Sequence, residues 1–230
     1  MTDEPLAFDS EHFQGLARVF PLPEMVMFPH VMQALHIFEP RYRALFEDAL
    51  ATDRLITMAT YATGTSVGGA DASRPPLEPV ACLCRVATHQ RTPEGTYNVL
   101  LLGVRRLRLR NEMPALRPFR VFEAEILEEV EPDVPGDDPE SIQHDLLAAF
   151  RRTLPNIPQA REQFDQLLGA NVSLGMLTDI VSYSLDLDAR WKLRLLAEPA
   201  VIPRARLLLA ALAARPRKGA RPFPPPFSRN

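Results

Sequence analysis

Lysine is nearly absent from this 230-residue chain: Lys192 and Lys218 are the only two, and the other 24 of its 26 basic residues are arginine. That scarcity removes two catalytic classes. A phosphate-cradling P-loop needs a Gly-Lys pair, and none occurs. A Ser–Lys dyad needs a buried lysine of depressed pKa, yet Lys192 falls on a solvated helical face between Trp191 and Leu193, and Lys218 lies in the tail. Cysteine is equally scarce. Cys82 and Cys84 stand two apart on one strand pattern, too few for a disulfide framework, and read as inert buried thiols of a reducing cytoplasm. The five histidines are scattered with no H-x-x-x-H pair, and Cys82, Cys84 and His89 fall short of the four ligands zinc takes, so no metal and no cofactor is expected. Long apolar runs are missing too. The longest, Leu207–Ala214, is far short of a membrane span, and the acidic opening Met1-Thr2-Asp3-Glu4 carries no signal-peptide pattern. A net charge of -3 gives no global argument for nucleic acid.

Apolar residues make up 46% of the chain, ample for a core. The most ordered pattern runs from Phe20 to Leu50. Val31, Gln33, Leu35 and Ile37 alternate with Met32, Ala34, His36 and Phe38, which is the period of a strand. The period changes at Glu39-Pro40, where a proline suits the first turn of a helix. Tyr42, Leu45, Phe46, Ala49 and Leu50 then fall on one helical face.

Residues 1–14 read as a loose arm and Leu16–Phe20 as a strand closed by Pro21, and within the stretch Met25–Phe28 reads as a short apolar strand stopped by Pro29. After it, Arg54–Tyr61 reads as a strand and Ala62–Pro79 as a long surface loop dense in glycine and proline. Val80–Gln90 and Tyr97–Leu102 flank the turn signal Thr92-Pro93-Glu94-Gly95 and form a hairpin. Gly103 marks a bulge, Val104–Arg110 places Leu107 and Leu109 inward with Arg106, Arg108 and Arg110 outward, and Phe119–Val130 alternates in the same way. The acidic, proline-rich linker 131–139 separates this β-rich lobe, 15–130, from a helical lobe, 140–214. Its apolar stripes are Ile142, Leu146, Ala149 and Phe150; Ala160, Phe164, Leu167 and Leu168; a helix capped by Ser173; one capped by Asp186 or Asp188; and one starting near Pro203. Residues 215–230 read as a disordered basic tail. Strands followed by helices make the fold class α+β, in two lobes.

The string PLPEMVMFPHVMQALHIFEPRYRALFEDAL resembles the opening of the amino-terminal, substrate-recognition domain of the Lon protease family, above all its stand-alone bacterial members with an "LHIFEPRYR" signature. VRRLRLR after Gly103, PFRVFEAEILEE and the helical stretch from Gly175 to Leu212 extend the likeness over roughly residues 16–214. The resemblance implies a barrel-like, PUA-like β-lobe with one helix, followed by a helical bundle. The ATPase and Ser–Lys peptidase signatures of Lon itself are not found, so no enzyme activity is expected. The residues that fit the family signature are Phe28, Pro29, His36, Phe38, Glu39, Arg41, Tyr42, Gly103 and Arg106, and their expected role is structural; Arg41 opposes the helix dipole and needs Glu24 or Glu39 beside it.

The function implied is a non-catalytic recognition or adaptor module. It would bind exposed apolar segments of other polypeptides, with a protease or chaperone as further partner. Met25, Met27 and Met32 are the candidate contacts, because flexible thioethers suit promiscuous surfaces. The alternative is RNA or small-ligand binding by the PUA-like lobe through Arg105, Arg106, Arg108 and Arg110. No aromatic stacking partner is interleaved with those arginines, and pairing with Glu123, Glu125 and Glu129 across the sheet is the simpler use of them.

Overall fold

The computed structural model describes residues 13–62, 74–131, 138–153 and 172–214. The arm before Phe13, most of the expected Ala62–Pro79 loop and 131–139 linker, the helix expected around Phe164 and the tail lie outside the described residues. Six strands, β1 (Leu16–Leu22), β2 (Met32–Ile37), β3 (Leu55–Thr60), β4 (Val80–Arg91), β5 (Tyr97–Glu112) and β6 (Arg120–Leu127), form one mixed sheet. Helix α1 (Pro40–Leu50) lies between β2 and β3, and α2 (Pro139–Arg151), α3 (Leu174–Ser184), α4 (Ala189–Ala197) and α5 (Val201–Ala213) follow the strands. The fold is α+β with a helical C-terminal part, as the pattern of elements predicts.

The strand order β2-β5-β4-β3-β1-β6 closes on itself because β5 also pairs with β6. The closed ring is therefore β5, β4, β3, β1 and β6, and β2 stands outside it. The β1–β3 pair is parallel and the others are antiparallel. Ala17, Val19, Leu55, Leu83, Leu107 and Phe122 fill the ring. A second core lies between its outer wall, α1 and the C-terminal helices, and joins Phe28, Phe46, Leu101, Leu146, Leu177 and Leu208. All of β3 is buried, since one face looks into the ring and the other into the second core.

One edge of β5 serves two neighbours. Tyr97–Leu102 pairs with β2, and Arg106–Glu112 pairs with β6. The change of partner falls at Gly103, where the β4–β5 register also shifts. There the Gly103 N–H donates to Val31 O at 2.9 Å and the Gly103 carbonyl accepts from His30 N–H at 2.8 Å. A Cβ on Gly103 would stand 2.0 Å from Phe28 O, so no side chain fits. His30 sits at φ 64, a left-handed turn that brings the chain back along β5 into β2.

Three expectations need correction. Pro21 does not close β1: it lies inside it, aligned with Ala59 of β3. β6 pairs only with Leu16–Val19, so the missing N–H of Pro21 costs no bond on that side. Met25–Phe28 is no strand; Val26, Met27 and Phe28 enter the core as irregular chain following Glu24, which is at φ 57. Arg106 points out of the ring as expected, yet it meets the C-terminal helices rather than water and is 3% exposed.

Arg106 is one of four charged groups that join barrel to helices. Its Nε donates to Leu196 O at 3.1 Å and its Nη2 to Asp179 of α3, which is fully buried. Arg204 of α5, also fully buried, donates to Glu198 O at 3.0 Å and to Glu129, and its Nε stands 3.5 Å from Asp179. Two arginines and two carboxylates balance in charge. Gly175 makes room for Glu129, whose Oε1 would lie 2.5 Å from a Cβ there. Burial pushes the Asp179 carboxyl up, and the Arg106 and Arg204 guanidiniums oppose that shift. Beside the cluster, Val130 pairs with Ala200, and its N–H and carbonyl bond Pro199 O and Val201 N.

A second network fixes α1. Arg18 of β1 binds Asp48 and Asp53, at 2.9 Å for the latter, and Arg117 binds Asp48 from the β5–β6 turn. Burial alone would raise the Asp48 carboxyl; the bonds and charges of Arg18 and Arg117 outweigh it and hold it below the usual range.

Three outcomes follow for stability. Gly103→Ala lowers unfolding free energy by about 3 kcal/mol or more in denaturant titration, because backbone must move. Asp179→Ala leaves two buried guanidiniums with one carboxylate and costs about 3–5 kcal/mol by the same measurement. Asp48 carries a depressed pKa, so its contribution is complete above the unfolded value of about 4 and is lost as pH falls through the native one. The stability gap between wild type and Asp48→Asn therefore closes on acidification, as read by denaturant midpoints across pH.

Candidate functional site

Strand β2 reads MQALHI and has a neighbour on one side only. Among the described residues, no backbone group pairs with its outer edge. Such an edge exposes a row of N–H and C=O groups, and proteins usually guard it with lysine, proline, a bulge or a charge. None of these guards is present in Met32–Ile37.

The two faces of β2 differ. Ile37 is buried and Leu35 half-buried against the second core, and Gln33 accepts a hydrogen bond from the Tyr183 hydroxyl of α3. On the other face Met32 is 51% exposed, Ala34 and His36 are exposed, and Phe38 beyond the strand is 49% exposed. Directly across on β5, Met32 meets Leu102, Ala34 meets Leu100, and His36 meets Asn98, to which it is hydrogen-bonded at 2.8 Å. The rings of His36 and Phe38 stack at 6.1 Å. An apolar strip of Met32, Leu102, Ala34 and Leu100 thus borders an open edge, with a stacked pair at its end.

The three methionines singled out from the sequence part company here. Met32 is on the strip, Met25 is half-buried against the core, and Met27 is 1% exposed inside it and has no surface to offer a ligand. Phe38, assigned a structural role from the sequence, is on the surface just past the other end of β2 from Met32. Its place at an even step from Met32 was the signal that could have found it.

The remaining signature residues hold the corner between β2 and α1. Phe28 and Pro29 are buried. Glu39 accepts from Arg41 at 2.9 Å, Arg41 lies over the Tyr42 ring at 4.5 Å, and Tyr42 stacks on Phe20 at 4.2 Å. The arginine row of β5 is occupied within the molecule: Arg106 is buried, and Arg108 and Arg110 share Glu125, at 3.8 Å for Arg108. Cys82 and Cys84 are buried free thiols, and burial, with Cys84 beside it, pushes the Cys82 thiol well above its usual range. His89 instead stands edge-on to Phe46 at 5.5 Å, and no group of three metal-binding side chains occurs among the described residues. No helix among them is long and apolar enough to cross a membrane. Gly64-Thr65-Ser66-Val67-Gly68 has the G-x-S-x-G spelling of a hydrolase nucleophile, which sequence reading passed over. The motif needs a strand leading straight into a helix; it lies outside the described residues, and the next described element after it is strand β4.

The chain is 26% identical over 196 residues to the Lon protease of Heliobacterium modesticaldum, and 26% identical over 181 residues to that of Dictyoglomus thermophilum. These matches take in 85% and 77% of this chain but 23% and 22% of those relatives, so the chain spans less than a quarter of their length. Among solved structures, the Lon N-terminal domain protein from Xanthomonas campestris matches at a TM-score of 0.60 and 20% identity, covering 85% of this chain and 97% of that one. The N-terminal domain of Mycobacterium avium complex Lon protease matches at 0.59 and 18%, covering 86% and 98%. The family described as the ATP-dependent protease La (LON) substrate-binding domain matches residues 17–214, and the chain belongs to that family.

Proposed function

We propose that the chain recognises extended apolar segments of other polypeptides through β2, and that it acts by binding, as an adaptor or holdase for a protease or chaperone of the bacterial cytoplasm. The carrying observation is the unguarded outer edge of β2 beside the strip of Met32, Ala34, Leu100 and Leu102. A segment laid along that edge satisfies its backbone groups by strand addition and buries alternate side chains on the strip. Sequence tolerance follows, because main-chain bonds carry the affinity and the strip asks only for apolar character. Met32 adapts to the shape of what lies on it, and Phe38 offers a flat apolar face. Membership of the Lon substrate-binding family supports this reading.

RNA binding by a PUA-like lobe has less support, since Arg106 is buried, Arg108 and Arg110 pair with Glu125, and Arg105 is half-buried and donates to Val104 O. Apolar strand addition is insensitive to salt, whereas phosphate contacts weaken steeply as salt rises.

Met32→Lys places a guard on the edge at an exposed position. It should weaken binding of a fluorescent unfolded polypeptide about tenfold while leaving unfolding free energy within about 0.5 kcal/mol of wild type. Anisotropy titrations at low and high salt, with and without RNase, test this. Unchanged affinity in the variant, or binding that vanishes with salt or RNase, contradicts the β2 reading.

A further inference from the structure

A cleft of about 60 Å³ lies where the end of β1, the start of α1, the residue after β3 and the start of β6 converge. Tyr61, Pro75 and Pro118 supply its accessible apolar surface, the Tyr42 and Phe119 rings in its wall being buried, and three arginines stand around it: Arg41, Arg74 and Arg120. Their hydrogen bonds show which have capacity left. Arg120 is the most engaged, giving Nε and Nη2 to Glu112 and Nη1 to Pro75 O. Arg74 gives only Nη1 to Glu112, at 3.1 Å, and Arg41 gives Nε and Nη2 to Glu39. The remaining N–H groups of Arg41 and Arg74 make no bond among the described residues.

The charges around the cleft do not cancel. Among the described residues, the three arginines of the cleft pair with two glutamates, Glu39 and Glu112, which leaves one positive charge beside Tyr61. Burial pushes the Tyr42 phenol up, so its ring adds no negative charge at neutral pH. A complementary ligand carries a single negative charge on a planar group that two guanidinium edges can grip, next to an apolar body that covers Tyr61 and the prolines. A carboxylate beside an apolar side chain has that form; a phosphate dianion exceeds the charge available.

We propose that this cleft binds the free terminal carboxylate of a bound polypeptide, with Arg41 and Arg74 on the carboxylate and the apolar last side chain against Tyr61, Pro75 and Pro118. The identity of the ligand as a polypeptide rests on the reading of β2 above; the preference for a monoanion rests on the cleft alone. A module that grips both an extended segment and a chain end distinguishes a polypeptide terminus from an internal stretch.

The test uses short fluorescent peptides of one apolar sequence ending in phenylalanine, either as the carboxylate or as the carboxamide. Anisotropy should show the carboxamide binding about tenfold more weakly. In the Arg41→Gln/Arg74→Gln variant both peptides should bind alike, at the affinity the native protein has for the carboxamide. Arg41→Gln alone, at an exposed position that leaves the Glu112 pairs intact, should narrow the gap if the double variant unfolds. Equal binding of both peptides by the native protein overturns the carboxylate site and leaves the β2 reading standing. N-acetylphenylalaninate binding that is lost in the variant, with neither peptide bound, supports the anion site and overturns the polypeptide as its source. Inorganic phosphate displacing the carboxylate peptide at lower concentration than N-acetylphenylalaninate overturns the assignment to a carboxylate.

Discussion

The exchange of neighbours along β5 is the constraint from which the rest of the molecule follows. A strand has two edges, and β4 occupies one of them along the length of β5. The other must serve both β2 and β6. Closing the ring through β6 gives the small interior around Leu107 and Phe122 its fifth wall, and that closure displaces β2 from the ring. Gly103 makes the exchange sterically feasible, because only a residue without a side chain lets Phe28 O approach so closely. The price of a closed barrel is a sixth strand whose outer edge has no partner among the described residues, and the proposed activity is built on that strand.

The buried charge cluster does for the helices what Gly103 does for the strands. Arg106 leaves the barrel wall and ends on α3 and on the carbonyl that closes α4, while Arg204 returns from α5 to Glu129 at the end of the β-rich half. Buried ion pairs are weak sources of net stability, since desolvation offsets much of their attraction. Their geometry is demanding, however, and misplacing a helix here strands a charge. The cluster therefore selects one arrangement of helices on barrel, and that arrangement seats Tyr183 against Gln33 behind β2. Strand β2 is thus held from behind, and among the described residues nothing pairs with its front edge.

How much of this was legible in the sequence depended on the range of the interaction. The alternation of Val31, Gln33, Leu35 and Ile37 with Met32, Ala34, His36 and Phe38 is local, and the structure follows it residue by residue; so is the helix face of Tyr42, Leu45, Phe46 and Ala49. The caps of Ser173 and Asp188 were legible for the same reason. Pro21 was misread because its tolerance depends on where β6 ends, far along the chain. Arg106 follows the alternation correctly, but no local pattern says that α3 and α5 will cover it. Met27 and Met32 look alike in sequence, and only the irregular path from Glu24 to His30 sends one inward and leaves the other outside. The cleft between Arg41, Arg74 and Arg120 draws on three distant segments and left no local trace.

Amide hydrogen exchange of Met32–Ile37 bears most directly on the central claim, that β2 presents an open edge which a polypeptide completes. In the free protein, alternate amides of β2 should exchange slowly, held by β5, while those between them exchange quickly; adding an unfolded polypeptide should slow the fast set. Uniform slow exchange in the free protein would show that the edge is already covered. A fast set that stays fast when polypeptide is bound would show that binding occurs elsewhere.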